Sequence, residues 1–134
     1  MTCVLVVDGD HSARSALREL LELEGFEVVV ADGDDSGVNA VESSVFDAVI
    51  IHVFVPRADG LDTIKTVHER APTLPIIAIA PRKFHDCLGP ERDFLCLATH
   101  LGASVGLYKP FMPRELITAV ASCIEERGRV QRAH

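Results

Sequence analysis

Five short runs of apolar residues constrain the fold of this chain more than any other feature of its sequence. They cover residues 3–7, 28–30, 48–51, 74–80 and, more weakly, 104–108. Runs that stay apolar, and do not alternate with polar residues, are typical of strands that are buried on both faces of a parallel sheet. The sequence therefore predicts a parallel sheet with helices packed on both sides.

Helical patterns separate the apolar runs. Leucines that recur at helical spacing between Ser12 and Gly25 predict the first helix, and Pro113 suits the first turn of the last one. The predicted helices begin at Asp10 or Ser12 and end at Gly25, cover 34–44, run from Leu61 to before Pro72, cover 91–101, and run from Pro113 to Gly128.

Five alternations of strand and helix predict a doubly wound α/β sandwich of three layers with right-handed crossovers. In such folds ligands bind beyond the carboxyl ends of the strands. We therefore expect the functional residues directly after Val7, Ile51, Ala80 and Tyr108.

Composition excludes several classes of protein. The chain has 134 residues, which fits one domain, with 48% hydrophobic and 25% charged residues. A net charge of −7 and 5% aromatic residues argue against nucleic-acid binding. No apolar run approaches the ~20 residues of a membrane span, and no signal peptide is visible. We expect a cytoplasmic protein whose four cysteines are free thiols.

The segments at the predicted strand ends resemble those of a known family, the receiver domain of response regulators in two-component signalling. The resemblance covers residues 3 to about 127, so we expect a receiver-like domain at 1–127 and a frayed tail at 128–134. It implies the flavodoxin-like (βα)5 fold, with the strand order 2-1-3-4-5. The matching pieces are residues 4–8, 25–28, 47–51, Pro56-x-x-Asp59-Gly60, 102–103 and 109–111.

The resemblance also implies a site at the strand ends. In the family, a carboxylate after the third strand accepts a phosphoryl group, and two acidic residues after the first strand help to hold Mg²⁺. A Ser or Thr after the fourth strand and a Lys after the fifth contact the phosphoryl group, and an aromatic residue on the fifth strand responds to it.

Carrying this pattern over residue by residue reveals departures. His52 occupies the phosphoacceptor position, Ala80 the Ser/Thr position and Gly106 the aromatic position. Asp8 matches the first acidic residue, Gly9 falls at the second, and Asp10 follows one place later.

Lys109 and Pro110 are retained, and the family implies a cis bond between them. We expect Lys109 to neutralise Asp8 or Asp10. His52 is expected to be a neutral, hydrogen-bonded residue, with a pH-sensitive imidazole as the alternative.

The chemistry of these departures predicts an atypical receiver that is not phosphorylated in the usual way, is not an enzyme and binds no metal. An imidazole cannot form an acyl phosphate. Mg²⁺ binds weakly without the oxygen ligands of the missing carboxylates. The predicted partner is a protein, which is a sensor kinase, another receiver or an effector. It would bind the face of helix four, strand five and helix five of a monomer or homodimer.

Two alternatives stay open. In the first, His52, Asp10 or Asp59 still accepts a phosphoryl group with the help of Mg²⁺. In the second, His85, Cys87, Cys96 and His100 form a metal- or redox-sensing module. A helical wheel favours exposure of Cys96 and His100, because Phe94, Leu97, Ala98 and Leu101 share the opposite, apolar face.

Overall fold

A computed structural model describes residues 2–53, 60–81 and 94–133 of the chain. Strands and helices alternate through these residues, as the apolar runs predict. The elements are β1 (Cys3–Val7), α1 (His11–Leu23), β2 (Glu27–Ala31), α2 (Asp34–Ser43), β3 (Ala48–His52), α3 (Leu61–Arg70), β4 (Ile76–Pro81), α4 (Phe94–Leu101), β5 (Val105–Lys109) and α5 (Pro113–Ala133).

The five strands form one parallel sheet in the order β2-β1-β3-β4-β5, which confirms the predicted topology. Because all strands run the same way, their carboxyl ends share one edge. His52 pairs with Ile79 in register, and Lys109 pairs with Pro81. Asp8 follows β1 directly and donates its backbone N–H to the carbonyl of Ala31.

Both faces of the sheet are covered by helices, which explains why the strand sequences are apolar at successive positions. Within β1, Leu5 belongs to the cluster that includes residues of α3 and α4, whereas Val6 belongs to the cluster with α1 and α5. Neighbouring residues of a strand point to opposite faces, so each face needs its own apolar set.

The last helix is longer than predicted. Gly128 is predicted to end it, but α5 continues to Ala133. The frayed tail at 128–134 stays a prediction. A glycine inside a helix costs only about 1 kcal/mol. Arg129 and Glu126 pair across this turn at 2.9 Å, which contributes to its stability. The domain limit at residue 127 stays a prediction.

The buried face of α4 agrees with the prediction at Ala98 and Leu101 and differs from it at Leu97. Leu95 and Ala98 are buried, whereas Leu97 is 40% exposed. Cys96 and His100 are exposed, as expected. Leu95, and not Leu97, therefore belongs to the core cluster.

No helix among the described residues is both long enough and apolar enough to cross a membrane.

Candidate functional site

Asp8 lies at the carboxyl edge of the sheet, directly after β1, and is almost completely buried, with 1% of its surface exposed. Its Oδ1 accepts a hydrogen bond from the backbone N–H of Asp10 at 2.9 Å. Its Oδ2 is buried and has no hydrogen-bond partner among the described residues. A buried oxygen in this condition is costly, so it marks a position where a donor or a cation would be stabilising.

Asp10 caps the amino terminus of helix α1. It is the N-cap residue, and its Oδ2 accepts a hydrogen bond from the backbone N–H of Ala13 at 3.2 Å. The sequence allowed either Asp10 or Ser12 in this role, and Asp10 takes it. Since Gly9 adds no side chain, the edge after β1 presents one buried carboxylate and one exposed carboxylate that already caps a helix.

His52 ends β3 and is buried, with 7% of its surface exposed. Burial lowers the pKa of His52, the charge of Asp8 raises it, that of Lys109 lowers it further, and that of Asp10 raises it. The net direction is downward, so the imidazole is held neutral at physiological pH. This direction agrees with the expected neutral histidine and disfavours a permanently charged one.

Gly60 packs directly against the backbone of His52. Its φ is +100°, and a Cβ added there would lie 2.7 Å from the carbonyl oxygen of His52. Only glycine combines this backbone conformation with so close an approach. The glycine that precedes α3 therefore closes one side of the site. Pro56 and Asp59, the other members of its motif, lie outside the described residues.

The remaining predicted positions lie on β4 and β5. Ala80 is 1% exposed and pairs in register with Tyr108. The Lys109–Pro110 bond is cis, as the family resemblance implies. The described residues contain no ion pair between Lys109 and Asp8 or Asp10, so the expected neutralising pair is not formed.

The sequence reasoning missed Leu95, which fills the space beside Gly106. A Cβ added at Gly106 would lie 3.0 Å from Cδ1 and 3.1 Å from Cβ of Leu95. The volume that a larger residue would need at this position is thus taken by a side chain of α4. A glycine inside a strand signals such a close approach, and this was the available clue.

The residues present do not fit the Mg²⁺ site that the family resemblance implies. Mg²⁺ prefers about six oxygen ligands in octahedral geometry. Within the described ranges, Asp8 offers one unused oxygen, whereas Gly9 and His52 offer no side-chain oxygen. No group of three or more His, Cys, Asp or Glu residues there is placed to hold a metal ion.

The predicted metal- or redox-sensing residues are only partly visible. Cys96 and His100 lie one helical turn apart on α4 and are exposed. His85 and Cys87, the other two predicted ligands, lie outside the described residues.

A five-stranded parallel sheet of this order, with an aspartate after β1 and a lysine followed by a cis proline at the end of β5, defines the receiver class of signalling domains. Residues 4–121 match the response regulator receiver domain, and the chain belongs to this family. Members of the family are signalling modules that bind kinases, other receivers or effector domains.

Sequence relatives include transcriptional regulators. The transcriptional regulatory protein CpxR of Escherichia coli K12 is 35% identical over 124 residues, which are 92% of this chain and 50% of CpxR. The alkaline phosphatase synthesis transcriptional regulatory protein PhoP of Bacillus subtilis is 28% identical over 123 residues, which are 90% of this chain and 48% of PhoP. The chain thus spans about half the length of these relatives.

Solved structures share the fold. The receiver domain protein (CheY-like) from Methanospirillum hungatei JF-1 superposes with a TM-score of 0.83 at 21% identity, covering 96% of this chain and 98% of that one. NtrX from Brucella abortus in complex with ADP gives a TM-score of 0.85 at 24% identity, covering 99% of this chain and 29% of that one.

Proposed function

We propose that this chain is an atypical receiver domain that transmits its signal through protein–protein contacts and accepts no phosphoryl group in the usual way. The observation that carries the proposal is His52, a buried and neutral imidazole at the carboxyl end of β3. The family resemblance places the phosphoacceptor carboxylate at this position. An imidazole nitrogen cannot form the acyl phosphate that such a carboxylate forms.

The surroundings of His52 support the same proposal. Gly9 and His52 remove two oxygen ligands that Mg²⁺ would need to neutralise charge on a transferring phosphoryl group. Ala80 has no hydroxyl to bind that group. Acceptor, metal ligand and hydroxyl are therefore lost together, and no single substitution would restore them.

The proposed contact surface is formed by α4, β5 and α5. Leu97 on α4 is 40% exposed, and Met112, just before α5, is 66% exposed. Exposed apolar side chains of this size are common in protein interfaces. The proposed partner is a sensor kinase, another receiver or an effector domain, and the protein acts as a monomer or homodimer without catalysing a reaction of its own.

Incubation with Mg²⁺ and acetyl phosphate, followed by intact-mass measurement, tests the proposal. We expect no gain of a phosphoryl group by the natural chain. The matched control is the double variant Gly9→Asp, His52→Asp, which restores the two carboxylates. We expect this variant to gain one phosphoryl group under the same conditions.

A stoichiometric gain by the natural chain that His52→Ala abolishes would overturn the proposal. It would support phosphoryl transfer to histidine, the second candidate function. One observation favours that candidate: the lowered pKa of His52 keeps its imidazole in the neutral, nucleophilic form. A gain that survives His52→Ala but not Asp10→Asn or Asp59→Asn would instead identify one of those aspartates.

The exposed pair Cys96 and His100 carries the remaining candidate, a metal- or redox-sensing module. Elemental analysis of chain purified without chelator decides this case. Stoichiometric zinc that is lost in both Cys96→Ser and Cys87→Ser would support it, and zinc-free protein would exclude a zinc module.

A further inference from the structure

A cleft lies at the amino-terminal edge of the sheet, opposite the edge that carries Asp8 and His52. It is bounded by the segment between α3 and β4, the segment between α4 and β5, and the second half of α5. Its volume is about 580 Å³, within the range of roughly 300–1,000 Å³ that is usual for small-molecule sites. We call it the Arg127 cleft, and its lining includes Leu74, Pro75, Cys123, Arg127 and Val130.

Arg127 brings an unneutralised positive charge to this cleft. Its Nη1 donates to the backbone carbonyl of Phe46 at 3.0 Å, and its Nη2 donates to Oγ1 of Thr73 at 3.3 Å. Both acceptors are neutral, and the described residues contain no carboxylate paired with Arg127. Glu126, its neighbour in sequence, pairs with Arg129 at 2.9 Å.

The guanidinium also has unused hydrogen-bonding capacity. Arginine has five N–H donors, and Arg127 uses two of its nitrogens in the bonds described above. Its Nε is buried and has no hydrogen-bond partner among the described residues. Each Nη keeps one further hydrogen, and a planar carboxylate is the group that best matches such a fork.

The walls of the cleft are mainly apolar. Leu74 and Pro75 are buried beneath it, and Val130 is half exposed at its margin. Cys123 adds a neutral wall, since burial raises the pKa of its thiol. Glu126 also lines the cleft, but its carboxylate is paired with Arg129, so Arg127 is the lining charge without an ionic partner among the described residues. Mainly apolar walls with few polar groups are typical of sites that bind a small molecule by its body and orient it by one polar end.

We propose that the Arg127 cleft binds a small organic carboxylate with an apolar body. The carboxylate accepts hydrogen bonds from the Nη groups of Arg127, and the apolar body lies against Leu74, Pro75 and Cys123. This cleft is separate from the site of Asp8 and His52, so the proposal does not depend on the proposed function of His52.

Titration of the full chain, followed by ¹H–¹⁵N correlation spectra, tests the site. The probes are 3-phenylpropionate, octanoate and indole-3-acetate, each compared with its neutral amide. We expect at least one acid to shift Gly102, Ser104 and Ser122, and to bind about tenfold or more tightly than its amide. The resonances of Asp8 and Lys109 should stay in place.

Two variants separate binding from folding. Arg127→Met removes the charge, and we expect it to weaken acid binding by about tenfold or more. Val130→Glu leaves the guanidinium and its two hydrogen bonds unchanged, adds a repelling carboxylate at the margin, and should also weaken the acid. Leu23→Glu, at an 80% exposed position on α1, is the matched control and should bind as the natural chain does.

Three results would overturn the proposal. The first is that none of the three acids binds at millimolar concentration. The second is that acid and amide bind equally well. The third is that Val130→Glu weakens the acid no more than Leu23→Glu does.

Discussion

At the scale of single residues, the proposed function rests on four positions. Gly9, His52, Ala80 and Gly106 stand where the family resemblance calls for groups that bind metal, accept phosphate or respond to it. These assignments are predictions from the sequence, made by matching each position to the family pattern. The neutral state of His52 could be proposed from the sequence but not established by it. It depends on the burial of His52 and on the charges around it, which the structure describes.

The free energy of unfolding should depend on the titration of His52. In the unfolded chain His52 titrates near 6.5, and in the folded chain burial lowers its pKa. Between these two values the unfolded chain binds more protons, so stability is full above pH ~6.5 and is lost as the pH falls below it. Each unit of pKa difference contributes about 1.4 kcal/mol. Asp8 and Asp10 oppose the effect, and Lys109 adds to it.

Urea unfolding between about pH 5 and pH 8 measures this dependence. We expect His52→Gln to flatten the slope below pH ~6.5, because glutamine does not titrate. The exposed His100 provides the control, and His100→Gln should keep the slope of the natural chain. A natural chain and a His52→Gln variant with parallel pH dependence would contradict the lowered pKa.

At the scale of elements, the strands were the easiest to predict. Their apolar runs are long enough to require burial on both faces. In the structure, the strands begin and end within a few residues of the predicted bounds. The buried face of α4 was predicted in part: Ala98 is buried and Leu101 packs against the core as expected, whereas Leu97 is exposed and Leu95 takes its place in the core. Leu95 contacts β5 at Gly106, where a Cβ would lie only 3.0 Å from its Cδ1.

This contact predicts energetic coupling between α4 and β5. Gly106→Ala places a Cβ about 3.0 Å from Leu95 and should cost roughly 1–3 kcal/mol through overpacking. Leu95→Ala should cost about 2–5 kcal/mol because it leaves a cavity. Together the two changes should cost less than their sum by about 0.5–3 kcal/mol, since the added methyl group enters the vacated space.

A double-mutant cycle by urea unfolding measures that coupling. The matched control replaces Gly106→Ala with Gly33→Ala, because a Cβ at Gly33 meets nothing within 4 Å. Gly33→Ala combined with Leu95→Ala should give additive losses. Additive losses for the Gly106 and Leu95 pair as well would show that the two side chains do not share one space.

At the scale of the whole molecule, Arg127 links parts of the chain that are distant in sequence. It projects from α5, which packs on one face of the sheet. Its hydrogen bonds reach Phe46, which precedes β3 and belongs to the core of the other face, and Thr73, which precedes β4. This role was not predicted from the sequence, because an arginine near the end of an amphipathic helix is usually a solvated surface residue.

The hydrogen bonds of Arg127 predict which part of α5 is required for stability. A chain that ends at Gly128 keeps both hydrogen bonds of Arg127 and loses the exposed pair of Arg129 and Glu126, so its unfolding free energy should fall by less than about 1 kcal/mol. The same shortened chain with Arg127→Met should lose a further 1–3 kcal/mol, roughly, because the carbonyl of the buried Phe46 is left without its donor.

Thermal and urea unfolding of the two shortened chains beside the full chain measure both steps. Because the first step removes residues 129–134 and the second changes one side chain, their sizes separate the contribution of helix length from that of the link. A large loss in the first step and none in the second would mean that the last turns of α5 stabilise the fold by their own packing. In that case the domain would extend beyond the limit at residue 127 that the sequence predicted.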